Sequence, residues 1–156
     1  MPSTIAARLI AAGITLPKVA APAGNYVPTV RSGSTLYVSG QIPFWEGRAQ
    51  FVGIAGGTLS LAEAREAARV VGLNIVAQVN AALEGDLDRV VQCLKLGGFV
   101  RSAPGFTEQA QVLNGASDLM VEIFGERGTH TRAAIGVSDL PRGVVVEIDA
   151  IFEIAG

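Results

Sequence analysis

Cysteine and histidine each occur once in the 156 residues, as Cys93 and His130. A single thiol excludes an internal disulfide, and one imidazole beside one thiol is too small a set of soft ligands for a zinc site. Charge is scarce as well: 17% of residues are Asp, Glu, Lys or Arg, and the formal net charge is -2. The 12 Lys and Arg are scattered singly. With no basic stripe to follow a phosphate backbone, nucleic acid is not an expected partner. No apolar run approaches the roughly 18 residues of a membrane span, and the first residues lack the basic-then-apolar order of a secretory leader. The expectation is a cytoplasmic protein that does not engage a membrane. The 19 glycines do not make a phosphate loop either, because no Lys-Ser or Lys-Thr follows Gly53, Gly56 and Gly57. Carboxylate-only metal sites are left open by composition, but no spacing points to one, and no cofactor is expected.

What the chain does have is apolar surface, with 49% hydrophobic residues and a mean hydropathy of +0.41. One domain spanning residues 1–156 is long enough to bury a real core. A lone domain of this size would still expose much of that surface, so an oligomer is expected.

Residues Thr4 to Ala12 read as a short amphipathic helix stopped by Gly13. A Pro- and Ala-rich connector from Leu16 to Pro22 follows. Tyr26 to Arg31 and Thr35 to Ser39 read as strands around Ser32-Gly33-Ser34, and Gln50 to Val52 as a third short strand. Ser60-Leu61-Ala62-Glu63 is a capping-box signature, and apolar residues then recur at helical spacing from Leu61 to Ala82. Val90 to Val100 reads as a strand in which Gly97-Gly98 marks a bulge or a close crossing. A second helix spans roughly Glu108 to Phe124 and stops at Gly125. The order strands, helix, strand, helix, strands hints at two related halves and predicts an α+β domain, two helices on one face of a mixed sheet.

Thr131 to Val137 and Val144 to Ile154 flank a Pro- and Gly-containing loop, which predicts a hairpin. With Val137 facing Val144, Ala133, Ile135 and Val137 share one apolar face with Ile148, Val146 and Val144. The other face then gathers Arg132, Glu147 and Asp149 beside Ala134 and Gly136, which are small enough to leave room for a ligand. A guanidinium there grips a carboxylate with two parallel hydrogen bonds, and a nearby glutamate orients a water or moves a proton. The competing reading is an ordinary cross-strand ion pair on a solvated face. His130 is either a general base or a polar surface residue. Cys93 sits in an apolar run that suits a buried, inert thiol. Asn114 lies on the inner side of a helix and needs a partner, either a loop or a ligand. Ser39 lacks the Gly-x-Ser-x-Gly context of a nucleophile.

Tyr26, then Ser39-Gly40-Gln41-Ile42-Pro43, then Asn114, then Arg132 followed by Leu140-Pro141 and Val146-Glu147-Ile148, resembles the YjgF-type Rid family of reactive-intermediate imine deaminases. Members are often labelled endoribonuclease L-PSP. The resemblance runs from Tyr26 almost to the end and implies a chorismate-mutase-like fold assembled as a homotrimer with clefts between subunits. It implies that Arg132 and Glu147 are catalytic, Arg132 gripping the carboxylate of a 2-imino acid and Glu147 positioning the attacking water. Tyr26, from a neighbouring subunit, together with Ser39, Gly40, Asn114 and the backbone at Ala134, would form the substrate cleft. The activity implied is hydrolysis of imines or enamines to 2-oxo acids and ammonia. The chain departs from the family at Asn25, where a proline is usual, and at Ala134, where a cysteine is usual. Its N-terminal helix and the extra residues from Phe44 to Gly57 resemble a longer subgroup. The alternative functions are a trimer that binds a small carboxylate without turnover and an endoribonuclease; the latter lacks an evident basic groove with paired acid and base groups.

Overall fold

The computed structural model describes residues 4–19 and 21–156. Thr4 opens the first helix, its Oγ1 accepting a hydrogen bond from Ala7 N at 3.1 Å. Helix α1, Ile5–Ala11, is followed by Gly13 at φ +67, the stop expected there. One residue of the predicted connector, residue 20, lies outside the described residues. Strands β1, Thr29–Ser32, and β2, Thr35–Gln41, form an antiparallel hairpin. The first begins three residues later than predicted, after Pro28, which has no N–H to give to a ladder. Strands β3, Phe44–Trp45, and β4, Arg48–Ala49, make a small separate ribbon. The predicted strand at Gln50 to Val52 is not formed; Val52 makes only an isolated bridge to Val144.

Helix α2, Leu61–Ala82, starts where the sequence places it, with Ser60 Oγ accepting from Glu63 N at 3.1 Å. The reciprocal half of the capping box is altered, because Glu63 Oε1 accepts from the Ser60 hydroxyl. Strand β5, Val90–Arg101, helix α3, Gln109–Phe124, strand β6, Thr131–Val137, and strand β7, Val146–Ile154, complete the chain.

The main sheet has the order β1-β2-β7-β5-β6, with β5 and β6 parallel and the other neighbours antiparallel. The predicted hairpin of the last two strands therefore does not exist, since β5 lies between them. The physical reason is the intervening α3, which makes β5-α3-β6 a crossover unit with parallel strands. The chain then crosses the end of β5 to reach β7. This arrangement also reverses the predicted facing of β6. Arg132 pairs with Leu96 and Ala134 with Gly98, both on the helix side, while Ala133 and Ile135 turn to the opposite face.

Helices α2 and α3 cover one face of the sheet. Their Val71, Ile75, Leu113 and Met120 pack in one cluster with Val146, Ile148 and Phe152 of β7. Gly98 sets the depth of α3: a Cβ there would lie 2.6 Å from Leu113 Cγ, so only glycine lets the helix seat this closely. The close crossing expected at Gly97-Gly98 is thus present. The uncovered face of the sheet presents Val30, Tyr37 and Ile135, each about half exposed at 52%, 49% and 50%. No helix among the described residues is long and apolar enough to cross a membrane.

Candidate active site

Glu147 lies on the uncovered face of β7, in register with Phe99 and Ile135. It borders a cavity of about 340 Å³ whose walls include Tyr26, Gly40, Phe44, Asn74, Gln78 and Arg142. Between Val38 and Gln41 strand β2 loses its register against β7, and this irregularity brings Gly40 over the carboxylate. A Cβ at position 40 would overlap Glu147 Oε1 and lie 3.1 Å from its Cδ. Burial raises the Glu147 pKa above the ordinary glutamate value, and the neighbouring Asp149 carboxylate raises it further. A carboxyl group tuned in that direction is better matched to proton transfer near neutrality.

Tyr26 is held beside this cavity by a loop, its hydroxyl accepting from Ala23 N at 3.3 Å. Ser39 does not line the cavity. Its hydroxyl donates to Val27 O at 2.8 Å and its amide to Pro28 O at 2.9 Å, so it fastens the Tyr26 segment to the sheet. Tyr26, Gly40 and Glu147 thus belong to one cavity within one protomer.

Arg132 sits on the other side of the sheet, at the edge formed by β6. Its Nη1 donates to Asn114 Oδ1 at 2.8 Å and to Ser117 Oγ at 3.0 Å, and its Nη2 donates to Ala110 O at 3.0 Å. Of the five guanidinium N–H groups, α3 engages three and fixes the plane of the group. The remaining two have no partner among the described residues and are open to an anion. Asn114 therefore finds its partner in Arg132. His130 Nδ1 lies 2.6 Å from Gly128 O, a pure acceptor, so that nitrogen carries the proton. In the neutral ring, Nε2 then accepts from Ser117 Oγ at 2.8 Å, and Ser117 in turn accepts from Arg132. His130 is a third member of the scaffold holding the guanidinium. Of the room predicted beside Ala134 and Gly136, the part at Ala134 is taken up by packing on the core, whereas Gly136 is exposed on the wall of a cavity it shares with Ser102 and Gln109, away from Glu147.

Two half-sites result, and the structure does not unite them. Arg132 and Glu147 were expected on one surface; β5 separates their strands, and register puts them on opposite faces. No group of three or more His, Cys, Asp or Glu side chains among the described residues is arranged to hold a metal ion.

The model of the family described as "YjgF/chorismate mutase-like, putative endoribonuclease" matches residues 6–149. The chain belongs to this family. Protein TCP17 of Trypanosoma cruzi is 50% identical over 151 residues, covering 96% of this chain and 94% of that one. The crystal structure of Atu1372 from Agrobacterium tumefaciens, a protein of unknown function, is 48% identical with a TM-score of 0.90 and covers 97% of this chain and 92% of that one. RidA from an Antarctic Psychrobacter is 31% identical with a TM-score of 0.60, covering 88% of this chain and 94% of that one. The mixed sheet with helices on one face is thus the YjgF/chorismate mutase-like fold.

Several site residues of this YjgF/chorismate mutase-like chain were not read from sequence. Asn74 and Gln78 are 8% and 4% exposed and stand one helical turn apart on the buried side of α2. Two amides in an otherwise apolar stripe were the available signal. Asn74 Nδ2 donates to Ile42 O at 3.0 Å and Phe44 O at 2.9 Å, which sets the cavity wall. Ser117 carried no sequence signal, since a serine on a helix stripe is most simply a small packing residue.

Proposed function

We propose that this protein hydrolyses 2-imino acids to 2-oxo acids and ammonia, in clefts formed where the Arg132 half-site of one copy meets the Glu147 half-site of another. The observation that carries this reading is the pairing of a guanidinium with two free N–H groups and a glutamate of raised pKa on opposite faces of one protomer. A homotrimer with three such clefts is the proposed assembly, and the uncovered sheet face with Tyr37 and Ile135 is suited to closing it.

Arg132 binds the substrate carboxylate with its two free N–H groups, which orients the imine carbon. Glu147, as carboxylate, takes a proton from water as the water oxygen bonds to that carbon and the C=N π electrons move to nitrogen. The tetrahedral amine then receives the proton from Glu147; as the C–N bond breaks with its electron pair going to nitrogen, the hydroxyl O–H bond breaks to form the C=O bond, and its proton passes by way of Glu147 to the departing ammonia, which leaves as ammonium. Glu147 returns to its starting state. A protonated imine is already electrophilic, so positioning and one proton carrier suffice. Tyr26 closes the cleft, and Gly40 gives the water-bearing carboxylate its space.

The test follows product formation from enzymatically generated 2-imino acids, with semicarbazone trapping as the competing reaction. Arg132→Ala is expected to lower kcat/KM about a hundredfold, the worth of two charge-assisted hydrogen bonds, while gel filtration shows the same assembly. Unchanged turnover in the variant would overturn the assignment. Ligand binding without ammonia release would replace it with the binding function, and cleavage of single-stranded RNA by a metal-stripped sample would replace it with the endoribonuclease.

A further inference from the structure

The cavity beside Glu147 is larger than the smallest imino acids need. Its volume of about 340 Å³ leaves room beyond a three-carbon imine. Its wall also includes Phe44, Asn74 and Arg142. Arg142 has φ 60 and ψ 12, a left-handed conformation that residues with a Cβ adopt only under constraint. That backbone lays the guanidinium over the Phe44 ring, with Cζ 5.6 Å from the centroid. Phe44 is itself held in place by the buried amide of Asn74.

None of the three ion pairs among the described residues includes Arg142, and it makes no hydrogen bond to them. The contact with Phe44 is no hydrogen bond, so the guanidinium N–H groups have no acceptor among the described residues. The other ionisable groups on the cavity wall are Glu147 and Tyr26. Arg142 is therefore the one cationic side chain among the described residues of this wall.

We infer that Arg142 is a second carboxylate clamp and that the preferred substrates are 2-imino acids whose side chain ends in a carboxylate. This rests on the imine hydrolase reading: Arg132 of one copy holds the carboxylate next to the imine, and Arg142 of the other holds the distal one. Phe44 supports the methylene groups between them.

The test uses matched pairs that differ only in the second carboxylate. Turnover is measured on 2-iminoglutarate and 2-iminopentanoate generated in situ, and affinity is measured by calorimetry with 2-oxoglutarate and 2-oxopentanoate. The natural protein is expected to favour the dicarboxylic member of each pair by about tenfold, the worth of one charge-assisted hydrogen bond. Arg142→Met keeps a long apolar stem over Phe44 and is expected to abolish that preference; Arg142→Lys is expected to restore part of it. Equal preference in the natural protein and Arg142→Met overturns the inference while leaving imine hydrolysis standing. If no imine is hydrolysed, the oxo-acid affinities still decide whether Arg142 selects a distal carboxylate, and the absence of turnover counts against the hydrolase reading alone.

Discussion

Gly40→Ala separates the position of the proposed catalytic carboxylate from the stability of the fold. Gly40 is outside the left-handed region, so alanine meets no backbone penalty. Its new methyl group would overlap Glu147 Oε1 and press on Cδ and Cγ, which lie 3.1 and 3.3 Å from the Cβ position. The carboxylate is the end of a flexible side chain and can swing away by about 1 Å, a displacement that typically costs about a hundredfold in rate when the group must meet a reacting atom. Stability should hardly change, because relief of the clash is local and replacing glycine reduces unfolded-chain entropy by about 0.4–1 kcal/mol. The expected result is a kcat on 2-imino acids reduced about a hundredfold with a Tm within a few degrees of the natural protein. Wild-type kcat in a folded Gly40→Ala protein would refute the reasoning, since the exact place of the Glu147 carboxylate would then not matter to the chemistry.

Glu147 titrates above its ordinary value in the folded protein, so the native state holds that proton more tightly than the unfolded chain. Its contribution to stability therefore falls as pH rises from the usual glutamate range through the raised value. Glu147→Gln is expected to be inactive, yet to unfold at higher denaturant than the natural protein at neutral pH, with the gain disappearing below the usual glutamate range. As the base form is the active one, the acid limb of the rate profile should lie above the ordinary glutamate range. Asp149→Asn should move that limb down part of the way, because burial, the larger cause, remains; a limb that stays or moves up would contradict the assignment. Leu113→Ala empties the space over Gly98 and should cost about 2–5 kcal/mol in urea unfolding. Cys93 is fully buried and its pKa is pushed up to about 12 by desolvation, so it should resist a thiol reagent at pH 8 until denaturant is added.

The parts of the fold written in local chemistry were legible. Ser60 announced α2, and the Gly97-Gly98 pair announced a close approach. Strand pairing was not, because the turn signal at Pro141-Arg142-Gly143 is the same whether the flanking strands become neighbours or admit a third between them. That single misplacement moved Arg132 from the face of Glu147 to the face of α3. At the site, Asn114 was readable as a polar group in need of a partner. Arg142 was not, since nothing in an arginine after proline foretells a left-handed backbone; Gly143, also at positive φ, was the residue expected to turn there.

Because Arg132 and Glu147 look out from opposite sides of the same sheet, a chain lacking one can supply the other. Arg132→Ala protein keeps an intact glutamate side, and Glu147→Gln protein keeps an intact arginine side. Unfolded together in equal amounts and reassembled, two dead proteins would regenerate activity, with about one cleft in four drawing both good halves if each cleft takes one from each neighbour. A cell making both defective forms would behave as partly competent, and a cell making one defective and one natural form in equal amounts would keep about half its clefts, since only one side of each cleft is then at risk.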